Sequence, residues 1–153
     1  MKFGWFVKRR IVRRRRPTNA KHYAEHKERA RILVHERLAH WNQSYNFTYK
    51  RVAIRNQRSR WGSCSTNQNL NFNYRLVFLP LELVDYVIVH ELCHLKHCNH
   101  GEEFWFEVEK QIPDYKVHKE KLHVISRNMQ EYMQAGIPSS IQQISQVSAT
   151  VPT

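Results

Sequence analysis

One segment, Leu81–His97, constrains the fold more than any other part of the 153-residue chain. Its stretch Leu83–Val89 is apolar nearly all round a helix, which is the pattern of a helix buried in a core. The same segment then continues into His90, Glu91 and His94, whose side chains are costly to bury without partners. The sequence therefore predicts a core helix that carries a polar site in its C-terminal half.

The spacing of these polar residues indicates a metal site. His90 and His94 are four positions apart, so they lie about 40° apart around a helix and one turn along it. Two imidazoles so placed can bind one ion, and zinc accepts histidine nitrogen at roughly 2.0–2.1 Å. Glu91 lies about 100° round from His90, where a general base for a metal-bound water is needed. We predict one Zn²⁺ per chain, with Glu91 as the catalytic residue.

A catalytic zinc needs a third protein ligand and a fourth position open to water. We favour His100, because Asn99 tolerates the left-handed conformation that ends a helix and lets the chain turn back. His97 shares the helix face, but it lies about 10.5 Å along the axis from His90 and reaches the ion only if the helix ends early. The other candidates are a thiolate and three carboxylates, namely Cys98, Glu102, Glu103 and Glu107.

The positive charge is concentrated in the N-terminal part of the chain. Residues 1–60 carry a net charge of +15 and residues 61–153 a net charge of −3, within an overall +12. Residues 1–17 form a basic N-terminal arm with eight Lys and Arg and no acid. Such a block is typical of contact with nucleic acid or another polyanion, although a solvated face has the same composition. Nucleic acid is therefore a candidate partner.

Composition excludes several protein classes. With 41% hydrophobic and 12% aromatic residues, the chain can build a core and is not wholly disordered. No apolar run approaches the roughly 20 residues of a membrane helix, and the apolar stretch near the N-terminus is too short for a secretory leader. The three cysteines, Cys64, Cys93 and Cys98, cannot all pair, so we expect free thiols. We expect a cytoplasmic protein with no membrane partner.

The remaining patterns predict one domain over residues 18–133, between the basic arm and a disordered tail at 134–153. Helices are expected from Thr18 or Asn19 to Trp41, over Leu81–His97 and Glu102–Ile112, and after Pro113-Asp114 to about Met133. Strands are expected at Lys50–Gln57 and Asn69–Tyr74. The loop between the strands is too long for a tight hairpin turn, and long loops of this kind are often functional. Its candidate active-site residues are Arg58, Arg60, Trp61, Gly62 and Ser63.

Several runs together resemble the YgjP-like metallopeptidase family. They occur in the family's order over about residues 20–125: Gln57-Arg58-Ser59-Arg60-Trp61-Gly62-Ser63-Cys64, Leu70-Asn71-Phe72-Asn73, Asp85 to Leu95, Asn99-His100 with Phe104-Trp105, and Pro113-Asp114-Tyr115. The resemblance implies an α+β fold, a minimal zincin-like metalloprotease akin to SprT-type proteases, with helices packed on a small antiparallel sheet. It also implies that His90, His94 and His100 bind zinc, that Glu91 activates water, and that the loop lies near the site. The chain departs from the family in having a short Arg-rich arm in place of a longer β-rich N-terminal region.

These observations favour a zinc-dependent metallopeptidase that acts on protein or peptide substrates. Candidates for stabilising the transition state are Tyr115, Arg58, Arg60 and Ser63, and the strand Val52–Asn56 is a candidate for pairing with extended substrate. One alternative is a metal-dependent hydrolase of nucleoside triphosphates, although the chain lacks a glycine-rich phosphate loop. A second is a nucleic-acid-associated protease that docks through the basic arm, and a third is a structural zinc module.

Overall fold

The computed structural model describes residues 20–128. The predicted basic arm and disordered tail lie outside the described residues. The class is α+β, as predicted. The elements in chain order are α1 (Ala20–Tyr45), β1 (Arg51–Arg55), β2 (Gly62–Cys64), β3 (Asn69–Asn73), a 3-10 helix (Tyr74–Phe78), α2 (Leu81–Cys93), α3 (Glu102–Gln111) and α4 (Tyr115–Arg127).

Helix α1 packs against the core with one stripe of side chains. It runs four residues beyond its predicted end at Trp41. It ends where Asn46 adopts a φ of 51°, the left-handed conformation that terminates many helices. The side chain of Asn42 fixes the exit by bonding both the N–H and the C=O of Phe47, each at 2.9 Å. The fully buried residues of the stripe follow a spacing of four: Ala30, Val34 and Leu38.

The sheet has three strands in the order β1-β3-β2, and it is mixed rather than antiparallel as predicted. β2 pairs with β3 in antiparallel fashion, whereas β1 pairs with β3 in parallel. The reason is β2 itself, a three-residue strand inside the predicted loop. It adds a second reversal of the chain, so β1 and β3 run in the same direction. The predicted alternation in β3 is confirmed, because Leu70 and Phe72 are fully buried.

Helix α2 is the centre of the core and contacts each of the other helices and β2. A paired ion contact joins it to α1, because the Arg37 guanidinium donates to both carboxylate oxygens of Asp85 at 2.5 and 2.9 Å. The helix ends at Cys93, four residues before the predicted end at His97. This early end brings the following turn back over the helix terminus. Within residues 20–128, no helix combines the length and apolarity needed to span a membrane.

Candidate metal centre and active site

Three histidine side chains meet at the C-terminal end of α2. The Nε2 atom of His100 lies 3.1 Å from Nε2 of His90 and 3.1 Å from Nε2 of His94. One ligand atom of each residue lies within 4.8 Å of the other two. No other group of three His, Cys, Asp or Glu residues in the described part of the chain converges in this way. The structure thus brings together the three predicted ligands.

The turn after α2 sets the orientation of two of these rings. His94 is the C-cap residue of α2, and its Nδ1 lies 3.0 Å from the backbone C=O of His97. A carbonyl only accepts, so Nδ1 of His94 carries the proton and Nε2 is left as a lone-pair donor. Such a bond to the second ring nitrogen is what orients histidine ligands in metal sites. The same turn then carries His100 back over the end of the helix.

The other candidates for third ligand lie elsewhere. The helix does end early, yet the side chain of His97 points away and faces Glu103, with 3.6 Å between Nδ1 and the carboxylate. Glu107 pairs with two lysines, Lys96 and Lys110, at 3.1 and 3.3 Å. Cys98 is exposed and is not one of the converging residues. His97 contributes to the site through its backbone oxygen, which binds the His94 ring, and not through its side chain.

The distances within the histidine cluster fit a cation with tetrahedral coordination. Two nitrogens bound at 2.0–2.1 Å with a tetrahedral angle are about 3.3 Å apart, close to the 3.1 Å separations found here. Burial first, and then the neighbouring His94, His100 and Lys119, lower the pKa of His90 to about 3. The imidazole is therefore neutral at physiological pH, which is the form that binds metals.

Glu91 is buried beside the histidine cluster. Its side chain is 5% exposed, and its Oε2 atom has no hydrogen-bond partner within residues 20–128. Burial raises the pKa of the carboxyl to about 8, against a smaller opposing effect of the Arg60 cation. The backbone of Gly62 in β2 covers the carboxylate, since a Cβ at this position would lie 2.6 Å from Oε1 of Glu91. Only glycine fits there.

Side chains from β3 and α4 fix the loop that precedes β2. The buried Asn73 amide donates to the carbonyls of Gln57 and Arg60, both at 2.8 Å, and its own Oδ1 accepts from a backbone N–H of the 3-10 helix. The Trp61 indole donates to Oγ of Ser126 in α4 at 2.8 Å. Trp61 also packs against the core. The loop is therefore held at several points.

The histidines and Glu91 open into a cavity of about 390 Å³ between α2 and β2. Of the predicted loop residues, Arg60, Gly62 and Ser63 line this cavity. Arg58 is exposed and Trp61 is half-buried, and neither lines it. Cys98, a candidate ligand, and Cys64, at the end of the loop that the resemblance places near the site, also line it; sequence reasoning did not identify the remaining lining side chains, which are Ser65, Thr66, Gln68 and Leu95. Burial raises the pKa of the Cys64 thiol to about 11, so it is protonated and a poor ligand.

Comparison with known proteins agrees with this geometry. The sequence matches the YgjP-like metallopeptidase domain over residues 8–124. The chain belongs to this family. The crystal structure of the metallopeptidase zymogen of Pyrococcus abyssi abylysin is similar to it, with a TM-score of 0.53 and 25% identity over 61% of this chain and 93% of that one. The sequence matches no curated protein. The predicted family is thus confirmed, and the protein is a metallopeptidase.

Two tyrosines lie near the candidate metal centre of this YgjP-like domain, one against a neighbouring tryptophan and one against a histidine of the cluster. Tyr115, predicted as a transition-state stabiliser, stacks on Trp105 with 4.9 Å between ring centroids and does not line the cavity. Tyr86 is closer, at 5.8 Å from the His90 ring, and it is 4% exposed. Burial raises the pKa of its phenol to about 12, so it keeps its proton. Tyr86 is four residues before His90 and so lies on the same helix face, and this spacing could have identified it from the sequence.

Proposed function

We propose that the protein is a zinc-dependent peptidase in which His90, His94 and His100 hold one Zn²⁺ and Glu91 is the general base. The observation that supports it most is the convergence of three ring nitrogens at 3.1 Å separations beside a buried carboxylate. Three ligands leave a fourth position open, as catalytic zinc sites require. A closed structural site would need a fourth protein ligand, and the described residues offer none.

The chemistry divides between the ion and the protein. A zinc ion so held lowers the pKa of water and polarises a substrate carbonyl. Glu91 accepts the proton of the attacking water at its unpaired Oε2 and returns it to the leaving amine. A carboxyl whose pKa lies near 8 in the metal-free protein is suited to hold a proton between these steps. The contact with Gly62 keeps the carboxylate in place while the proton moves.

An extended substrate has one strand edge available at the cavity. The sequence suggested pairing along Val52–Asn56, but β1 lies on the far side of β3 from β2. β2 lines the cavity, and its outer edge has no strand partner in the described part of the chain. Pairing of a peptide backbone along this edge would lay its scissile bond across the histidine cluster. β2 is therefore the proposed substrate strand.

The test is cleavage of an unbiased peptide library by the zinc-loaded protein, read by mass spectrometry beside the Glu91→Gln variant. We expect cleavage by the parent protein and none by the variant, while both bind one zinc per chain. The matched control is Glu103→Gln, because that carboxylate is 88% exposed and lies outside the cavity. A fully active Glu91→Gln variant, or a protein that binds no zinc, would refute the proposal.

Nucleic acid is proposed as a second partner on the strength of charge alone. Within the described residues, exposed cations at 50, 51, 55 and 58 extend the basic character of the arm onto β1 and the following loop. Such contacts release counterions, so binding should weaken steeply as salt is raised. Absent or salt-insensitive binding would exclude this role, and loss of binding on removal of residues 1–16 would assign it to the basic arm.

A further inference from the structure

The active-site cavity would carry a net positive charge once a metal ion is bound. Among the described residues that line it, Glu91 is the single carboxylate and Arg60 the single Lys or Arg. Three neutral imidazoles leave the charge of a bound dication uncompensated, and Glu91 offsets only part of it. Clefts with one sign of charge and low-dielectric walls concentrate ligands of the opposite sign.

The rest of the cavity wall suits a polar anionic group rather than an apolar one. Beside β2 the wall presents hydroxyl groups of Ser63, Ser65 and Thr66 and the amide of Gln68. Hydroxyls and amides supply hydrogen-bond donors for a carboxylate. A hydrophobic substrate side chain would find Leu95 as the only large aliphatic side chain among the lining residues.

Arg60 is held at its backbone, while its side chain acts on Glu91 only through its charge and forms no ion pair in the described part of the chain. Its carbonyl accepts from the Asn73 amide at 2.8 Å, and the neighbouring Trp61 is tied to Ser126. The residue is exposed, and no carboxylate lies within ion-pair distance of its guanidinium in the part of the chain that the structure describes. A guanidinium presented in this way matches a carboxylate with two parallel hydrogen bonds.

Helix α4 also carries a cation near the histidine cluster, since the charge of Lys119 acts on His90. The ammonium of Lys119 in α4 lies 4.6 Å from the ring centroid of Trp105. That indole in turn stacks on His100, with 5.6 Å between the ring centroids. Positive charge therefore borders the cluster from both the β2 side and the α4 side.

From this arrangement we propose that Arg60 determines substrate specificity by binding an acidic side chain of the peptide, Asp or Glu, adjacent to the scissile bond. The inference rests on the proposed peptidase function and names its substrate class. Arg60 acts in binding and not in proton transfer, so its loss raises KM for acidic peptides more than it lowers kcat.

The experiment uses three peptides that differ only at the position next to the cleaved bond, with Glu, Gln or Lys. For the parent enzyme we expect kcat/KM at least about tenfold higher for the Glu peptide than for the Gln peptide, a difference of about 1.4 kcal/mol. Arg60→Gln should remove this preference, and Arg60→Glu should reverse it in favour of the Lys peptide. Arg51→Gln, an exposed cation on β1 outside the cavity, is the matched control and should keep the parent preference.

A binding measurement separates this proposal from the peptidase function. Fluorescence anisotropy of the same peptides with zinc-loaded Glu91→Gln, with and without Arg60→Gln, reports affinity without turnover. Tighter binding of the Glu peptide that depends on Arg60 supports the proposal even if no peptide is cleaved. Equal binding of the Glu and Gln peptides overturns it, as does a preference that survives Arg60→Glu. Arg60-dependent binding of adenosine triphosphate without any peptide preference overturns it in favour of a phosphate ligand.

Discussion

Gly62 and Glu91 are in such close contact that no side chain fits between them. A Cβ at position 62 would lie 2.6 Å from both Cγ and Oε1 of Glu91, closer than real Cβ contacts allow. The strand backbone thus holds the carboxylate in place, with no hydrogen bond to its Oε2 in the described part of the chain. A steric contact of this kind fixes the position of the group without using up its proton-accepting atom.

Gly62→Ala is therefore expected to displace the Glu91 carboxylate and lower kcat. A misplacement of about 1 Å in a reacting group can cost about 100-fold in rate, and we expect a loss of that order. Zinc content should stay at one per chain, because the atoms nearest to a Cβ at position 62 belong to Glu91 and not to a histidine. Gly101→Ala is the control, since nothing lies within 4 Å of a Cβ there. Equal activity of the two variants would show that the contact with Glu91 is unimportant.

The third ligand can be tested by metal binding alone. His100→Ala should lose tight zinc binding, whereas His97→Ala should keep it, because position 97 serves the site through its backbone carbonyl. Zinc at 100 times its dissociation constant stabilises a folded protein by about 2.7 kcal/mol. That gain should appear in urea unfolding of the parent and of His97→Ala and be absent in His100→Ala. A zinc-dependent gain in His100→Ala would assign the third ligand elsewhere.

The buried carboxyl predicts how stability of the metal-free protein depends on pH. Burial raises the pKa of Glu91 from 4.5 to about 8, so its contribution is complete below 4.5 and is lost as pH rises through 8. The pKa of His90 is lowered from 6.5 to about 3, so its effect on stability has the opposite sign and does not change with pH above 6.5. Between pH 6.5 and 8 the free energy of unfolding should fall.

Urea unfolding across that interval measures this effect. Glu91→Gln should flatten the slope, because the amide does not titrate. Glu103→Gln should leave the slope unchanged, since that carboxylate is 88% exposed. If the slope is the same in all three proteins, the titrating group is not Glu91.

Asn73 should stabilise both the fold and the loop. Truncation in Asn73→Ala removes its hydrogen bonds to two loop carbonyls and one N–H, at about 1 kcal/mol each, although the Gln57 carbonyl keeps a bond from the Arg75 guanidinium. We expect a loss of about 2–3 kcal/mol in the free energy of unfolding. A fall in kcat/KM should accompany it, because the loop carries Arg60 and leads into β2. Asn67→Ala, in the exposed turn after β2, should change neither quantity.

The site was largely predictable because its spacing is local. His90, Glu91 and His94 occupy one helix, so the geometry of a single element places them. His100 was predictable as the residue after a helix end, although the helix ends earlier than the sequence indicated. The apolar spacing in α1 and β3 likewise identified the buried faces, because burial imposes the period of the element.

Other features depend on contacts between segments distant in sequence. β2 has three half-buried residues, too few to show alternation, so the sequence did not predict it, and the antiparallel sheet was expected from the family resemblance alone. The close approach of Gly62 to Glu91 joins residues 29 positions apart and leaves no local pattern. The hydrogen bonds of Asn73 to the loop were also unpredictable, because the sequence does not distinguish this buried asparagine from the other polar positions of its Asn-rich strand.

The early end of α2 at Cys93 places the turn that carries His100 outside the buried core, so we expect the core to fold independently of the metal. The core side of α2 is buried by the other helices and the sheet, and the three histidines are not among the buried core residues. In small zinc modules, by contrast, binding of the ion supplies the folding energy. Here the ion would only tie the turn that carries His100 to the helix end. We therefore expect the protein to stay folded and inactive when zinc is scarce, and to gain activity without refolding when zinc returns.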